Sequence, residues 1–142
     1  MRLGFDIDDT LIQLREHAFV LYKQELQQHV TDETFRAIQR VEIHEPFGLT
    51  DEEGSALWQR MNEQVYFTDC PAYEGAKELL WQLKNEGHDI FYITARPVDS
   101  CMRTRQWMID AGFPVDEGHF YCGMADDEKL AIIAELDLDV YV

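Results

Sequence analysis

Leu3-Gly4-Phe5-Asp6-Ile7-Asp8-Asp9-Thr10, near the start of the 142-residue chain, is a short apolar stretch that runs directly into acids. This pattern predicts a buried strand that ends in carboxylates. A second strand is predicted at Ile90-Phe91-Tyr92-Ile93, because four apolar residues without polar alternation are typical of a central parallel strand covered on both faces. That strand runs into Thr94-Ala95-Arg96-Pro97.

Helices and strands alternate after Pro71. The predicted elements are helices at 74–86, 99–111 and 126–136, and strands at 90–93, 119–122 and 140–142. This alternation predicts an α/β fold with a doubly wound parallel sheet. Residues 14–72 are predicted to be wholly helical, with Thr31 and Thr50 as helix caps. We therefore expect an α/β core formed by residues 1–13 and 73–142, into which an all-helical unit of residues 14–72 is inserted.

The charge balance excludes several classes of partner. Twelve basic against 28 acidic residues give a net charge of −16 and a pI near 4.4. A phosphate backbone or an anionic membrane surface binds a basic face, which this composition does not favour. No run of 18 or more apolar residues is present to span a membrane, and acids interrupt the N-terminal apolar stretch that a signal peptide would need. These features predict a soluble, cytoplasmic protein that binds neither nucleic acid polymers nor membranes.

The three cysteines, Cys70, Cys101 and Cys122, are odd in number and widely spaced, and no Cys-x-x-Cys pair is present. This pattern argues against zinc or redox chemistry and predicts three reduced thiols in or near the core.

Polar residues follow the predicted strands at one edge of the sheet. Ligands of an open parallel sheet bind beyond the carboxyl ends of its strands. Asp6, Asp8 and Thr10 follow the first strand, residues 94–96 follow the second, and Lys129 lies near the start of the last helix. Each feature alone is weak evidence for a functional site, because a hydroxyl after a strand is commonly a turn residue and a lysine on an acidic helix is commonly solvated. Their joint placement predicts a single site.

The same residues carry a family resemblance. The stretch from Phe5 to Leu11 resembles the Asp-x-Asp-x-Thr signature of the haloacid dehalogenase superfamily. Ile93-Thr94-Ala95-Arg96 resembles its second motif, and Lys129 its third. The helical insertion is similar in size to the C1 cap of the 5′-nucleotidase and deoxyribonucleotidase branch. The resemblance implies a Rossmann-like core with a helical cap domain.

The resemblance also implies an activity, that of a Mg²⁺-dependent phosphohydrolase acting on a small phosphorylated metabolite, with a nucleoside monophosphate as the leading expectation. In this family reading Asp6 attacks phosphorus to form an aspartyl-phosphate, and Asp8 protonates the leaving group and then activates water. Thr94 donates a hydrogen bond to a phosphoryl oxygen, and Lys129 supplies a fixed cation. The carboxylate of Asp6 and the backbone carbonyl of Asp8 are the expected Mg²⁺ ligands.

Three further motif residues, Thr10, Ala95 and Arg96, are expected to bind substrate. Two roles stay open for Arg96, which either contacts the phosphate or substrate or forms an ion pair across the crevice. Two roles also stay open for four aromatic residues of the cap, which either stack a nucleotide base or form the core of the cap. They are Phe35, Trp58, Tyr66 and Phe67.

The family completes its metal site with an acidic pair after the next strand, and the sequence reaches Val142 at that strand. Asp139 is no substitute, because a rise of about 3.3 Å per residue leaves it roughly 10 Å short of the end of the strand. The expectation is a C-terminally incomplete form of a longer phosphatase or a natural short variant with weakened Mg²⁺ binding.

Two other functions are alternatives to the phosphohydrolase. A receiver-like phospho-acceptor domain also places acids after its first strand, but its acceptor aspartate follows a middle strand, and Thr94 stands in that position here. A catalytically impaired binding module would keep the fold and lose the chemistry. It would bind neither Mg²⁺ nor a phosphate mimic tightly.

Overall fold

The structure, a computed structural model, describes residues 1–142. Four parallel strands form one sheet in the order β3-β2-β1-β4. They are β1 (Arg2–Phe5), β2 (Asp89–Thr94), β3 (Phe120–Cys122) and β4 (Val140–Tyr141). The chain steps outward from β1 to β2 and β3 and then crosses to the other side of β1. The predicted doubly wound parallel sheet is confirmed, and its topological switch point lies at β1.

Helices connect the strands, as parallel pairing requires. The six α-helices are α1 (Leu14–Leu26), α2 (Asp32–Arg36), α3 (Asp51–Phe67), α4 (Ala76–Asn85), α5 (Cys101–Asp110) and α6 (Asp126–Glu135). β2 lies between two other strands and is buried at every position except Asp89, so the central place predicted for its apolar run is confirmed. No helix combines the length and apolar composition needed to cross a membrane.

The chain divides into two compact units. Residues 1–12 and 72–142 form the first, which contains the sheet and α4 to α6. Residues 13–71 form the second, which contains α1 to α3. The predicted helix caps are confirmed. The Thr31 hydroxyl accepts the backbone N–H of Thr34, and Thr50 forms a reciprocal capping box with Glu53.

The prediction that residues 14–72 are wholly helical is wrong between α2 and α3. The only helical segment there is a 3₁₀ turn at Glu45–Phe47. Pro46 limits helix propagation, and Gly48 adopts a left-handed φ of 76°, which favours glycine. Phe47 nevertheless reaches the core of this unit, where its ring centroid lies 5.2 Å from that of Phe19.

The prediction of three reduced thiols is also wrong. Cys101 and Cys122 form a disulfide with a Cα–Cα separation of 5.7 Å, and Cys70 is a buried free cysteine. Cys101 opens α5, and Cys122 ends β3. Spacing alone could not reveal this pair, because its proximity depends on the pairing of β3 with β2.

Candidate active site

The turn that follows β1 carries the first two acids. The backbone N–H of Asp6 donates to the carbonyl of Val142 at 2.8 Å, which ties the turn to the chain beyond β4. The carbonyl of the fully buried Ile7 accepts the N–H of Thr10 at 3.2 Å. This tight turn leaves the Asp6 and Asp8 side chains partly exposed beyond the carboxyl end of β1. The backbone of Thr10 therefore closes this turn through its hydrogen bond to Ile7.

Lys129, in the first half of α6, lies against Asp6. Its Nζ is 3.3 Å from Oδ1 of Asp6, and its side chain is only 12% exposed. The same Oδ1 accepts the backbone N–H of Ile7 at 2.8 Å. These two contacts hold Oδ1 of Asp6, and neither of them involves Oδ2. The sequence-predicted acid and cation are thus brought together from opposite ends of the chain.

Thr94 ends β2 and is almost completely buried. The register pairs Phe5, the last residue of β1, with Tyr92, so β2 ends two residues further along and the two strands have neighbouring carboxyl ends. The Thr94 hydroxyl oxygen accepts the backbone N–H of Arg96 at 3.2 Å. Ala95, between them, is exposed in the loop after β2.

Arg96 lies against Asp8. Its Nη2 donates to Oδ1 of Asp8 at 2.7 Å, and its Nε donates at 3.1 Å to Oδ2 and at 3.3 Å to Oδ1. This contact is an ion pair, which is one of the two roles that the sequence leaves open for Arg96. Each of the two acids therefore has its own basic partner, Lys129 for Asp6 and Arg96 for Asp8.

Sequence reasoning missed Tyr141 of β4. Burial first, and then the negative charge of Asp6, raise the pKa of the Tyr141 phenol, while the charge and hydrogen bond of Lys129 oppose that shift. Gly4 of β1 is paired with Tyr141, and the absence of a side chain at Gly4 leaves space for the Tyr141 ring. A Cβ at Gly4 would lie 3.1 Å from the Tyr141 ring and would also collide with Leu138. A glycine inside a buried strand was the available signal, since it often marks close approach by another group.

The donors at this site fit Mg²⁺ only as an ion shared with substrate and water. No group of three or more His, Cys, Asp or Glu side chains lies close enough to hold a metal ion. The Asp6 carboxylate and the Asp8 backbone carbonyl are hard oxygen donors of the type that Mg²⁺ prefers. Mg²⁺ commonly binds through one or two carboxylates and fills its remaining positions with water and substrate phosphate.

Comparisons with known proteins identify the family of the chain. Residues 1–121 match the family model described as "5' nucleotidase, deoxy (Pyrimidine), cytosolic type C protein". A protein from Oceanobacillus iheyensis named "Putative nucleotidase" is 53% identical over 142 residues, which are 100% of this chain and 76% of that protein. A Bacillus cereus protein with the same name is 46% identical over 141 residues, 99% of this chain and 75% of its own length.

A solved structure gives the fold independently. The haloacid dehalogenase-like family hydrolase from Streptococcus pneumoniae matches with a TM-score of 0.61 at 16% identity, covering 99% of this chain and 72% of that one. At this identity the match shows the fold alone, and the fold is the one that the three sequence motifs predicted. The family model and the 53% identical relative together establish the family. The chain belongs to the 5′ nucleotidase, deoxy (pyrimidine), cytosolic type C family of haloacid dehalogenase-like hydrolases.

Proposed function

We propose that this protein is a Mg²⁺-dependent phosphohydrolase that releases orthophosphate from a small phosphate ester, with a nucleoside monophosphate as substrate. The observation that carries the proposal is the 3.3 Å contact between Lys129 and Asp6 at the carboxyl end of β1. Phosphoryl transfer needs a nucleophile, a proton donor for the leaving oxygen and positive charge near the equatorial oxygens. Asp6, Asp8 and Lys129 supply one of each.

Asp6 is the nucleophile of the first step. Its Oδ1 is held by Ile7 and Lys129, which favours Oδ2 as the attacking atom. A bond forms between this oxygen and phosphorus, and the bond from phosphorus to the ester oxygen breaks. Asp8 gives its proton to that leaving oxygen, so the products are an aspartyl-phosphate on Asp6 and the free alcohol.

Water completes the second step. Asp8, now a carboxylate, takes a proton from the water whose oxygen attacks the phosphorus of the aspartyl-phosphate. The bond between phosphorus and Asp6 breaks, orthophosphate leaves, and both acids return to their starting state. Asp8 thus donates a proton in the first step and accepts one in the second, so the enzyme gains and loses no proton over the full cycle.

Fixed donors hold the transferred group. Lys129 supplies a mostly buried positive charge, and the Thr94 hydroxyl, which accepts from Arg96, still has its own proton to donate to a phosphoryl oxygen. A Mg²⁺ ion held by the Asp6 carboxylate and the Asp8 carbonyl would neutralise further charge on the phosphate. Ala95, an exposed residue of the loop after β2, is a further candidate for substrate contact.

Asp6→Asn tests the proposal directly. We expect wild-type protein to release phosphate from nucleoside monophosphates in the presence of Mg²⁺, and the variant to lose this activity by about 10³-fold or more, because the amide is a poor nucleophile. Acid quenching of a reaction with ³²P-labelled substrate should leave label on the wild-type chain and none on the variant.

Asp127→Asn is the matched control, since Asp127 is an exposed acid of α6 and its replacement changes the net charge equally. Its phosphate release should equal that of the wild type. Unchanged turnover in Asp6→Asn would overturn the proposed nucleophile. A wild-type chain that binds Mg²⁺ and orthophosphate without turnover would favour the binding-module alternative.

A further inference from the structure

The guanidinium of Arg96 is completely enclosed. Its side chain is 0% exposed, although arginine is almost never fully buried unless it is paired. Its contacts engage both carboxylate oxygens of Asp8, with the shortest at 2.7 Å. A planar fork that meets both oxygens fixes the rotation of the carboxylate as well as its position.

Further contacts of Arg96 come from its own loop and from α5. Its backbone N–H is held by Thr94, and Nη1 lies 3.5 Å from the hydroxyl of the fully buried Thr104. The Trp107 ring centroid lies 6.0 Å from Cζ. The orientation of the guanidinium is therefore set before any substrate arrives.

This enclosure argues against direct contact between Arg96 and the phosphate. A phosphate group arriving from solvent would have to displace Asp8 from the guanidinium. Asp8 would then lose the contacts that hold both of its oxygens in a partly buried place, which is costly. Lys129, by contrast, lies beside the proposed nucleophile and retains some exposure.

We propose that Arg96 is a positioning residue that holds the Asp8 carboxylate in the orientation from which it protonates the leaving oxygen and then takes a proton from water. This inference rests on the function proposed above. Arg96 forms and breaks no covalent bond itself. Its replacement should therefore slow the reaction most when the leaving group needs a proton from Asp8.

Two substrates that differ in this demand provide the test. The alcohol of a nucleoside monophosphate leaves only when protonated, whereas p-nitrophenolate leaves without a proton donor. In single-turnover rapid-quench measurements, Arg96→Met should slow nucleoside release by about 100-fold or more and nitrophenolate release by no more than about threefold. Asp8→Asn should give the same split between the two substrates.

Arg96→Lys keeps the charge but cannot form the two-oxygen fork. We expect an intermediate loss with the same dependence on the leaving group, and this variant carries the test if Arg96→Met does not fold, as judged by circular dichroism. Arg103→Met, on the exposed face of α5, is the matched control and should behave like the wild type with both substrates.

Equal losses with both substrates in Arg96→Met and Arg96→Lys would overturn the inference in favour of a substrate-binding or purely structural role. In that case the proposed function still stands if wild-type protein is active and Asp6→Asn is not. A wild-type chain that releases neither product would overturn the proposed function, and this inference with it.

Discussion

His17 on α1 shares a hydrogen bond with Thr68, in which Nε2 and the hydroxyl oxygen are 2.7 Å apart. The Thr68 hydroxyl donates its only proton to the carbonyl of Gln64 at 2.6 Å, so it accepts the proton of Nε2–H. Burial lowers the pKa of His17 below its ordinary value of 6.5, and the charge of Asp69 opposes this shift. The folded chain therefore favours the neutral imidazole with its proton on Nε2.

This shift predicts a pH dependence of stability. The unfolded chain binds a proton on His17 near pH 6.5 and the folded chain only at lower pH. Below pH 6.5 the unfolded state thus holds more protons, and the free energy of unfolding falls as the pH is lowered. His17→Gln keeps an N–H donor and should make this fall shallower. Urea unfolding between about pH 7.5 and 5.5 measures the difference.

The exposed His29 provides the control for this measurement. His29→Gln removes an exposed imidazole by the same substitution and should follow the wild-type pH dependence. An equally steep fall in His17→Gln and in the wild type would contradict the assignment of a neutral, half-buried imidazole.

At the scale of elements, the disulfide fixes the loop between β2 and α5. It joins Cys101 to Cys122, and each sulfur lies 3.5 Å from a carbonyl oxygen of this loop, that of Pro97 for Cys101 and that of Arg96 for Cys122. The bridge therefore holds the backbone from which the Arg96 side chain reaches Asp8.

Removal of the disulfide should destabilise the fold. The bridge closes a loop with a sequence separation of 21, for which the chain-entropy model gives roughly 3 kcal/mol of stabilisation. We expect the double variant Cys101→Ser/Cys122→Ser to lose about that much free energy of unfolding in urea. Dithiothreitol should lower the stability of the wild type and leave the double variant unchanged. Equal responses of the two proteins to the reductant would contradict the bridge.

The contrast between the Thr50–Glu53 capping box and the cysteines shows which structural features could be predicted from the sequence. The Thr50–Glu53 box and the run from Asp6 to Thr10 are local patterns whose physics acts within a few residues, and the structure has both features. The disulfide and the place of Tyr141 depend on which strands pair and in what register, which no local pattern encodes. The contact between Arg96 and Asp8 lies between these cases. Its residues were named from motifs, but their pairing required the parallel register of β1 and β2.

At the scale of the whole molecule, the net charge of −16 opposes the approach of an anionic substrate. Distant acids act over tens of ångströms at low ionic strength, where the Debye length is about 30 Å, and lose most of this influence at about 0.15 M salt, where it is about 8 Å. Lys129 is mostly buried, so salt should screen its proposed short-range contact with phosphate far less.

Salt should therefore speed substrate capture. We expect kcat/KM for a nucleoside monophosphate to rise roughly two- to fivefold between about 0.01 and 0.15 M salt at constant free Mg²⁺, because repulsion by the whole molecule is screened before local attraction is. Initial rates of phosphate release in potassium chloride and in choline chloride measure this effect, and the two salts should agree if ionic strength is the cause. A fall in kcat/KM with salt would mean that the local field of Lys129 and the bound metal extends beyond the site and dominates the approach.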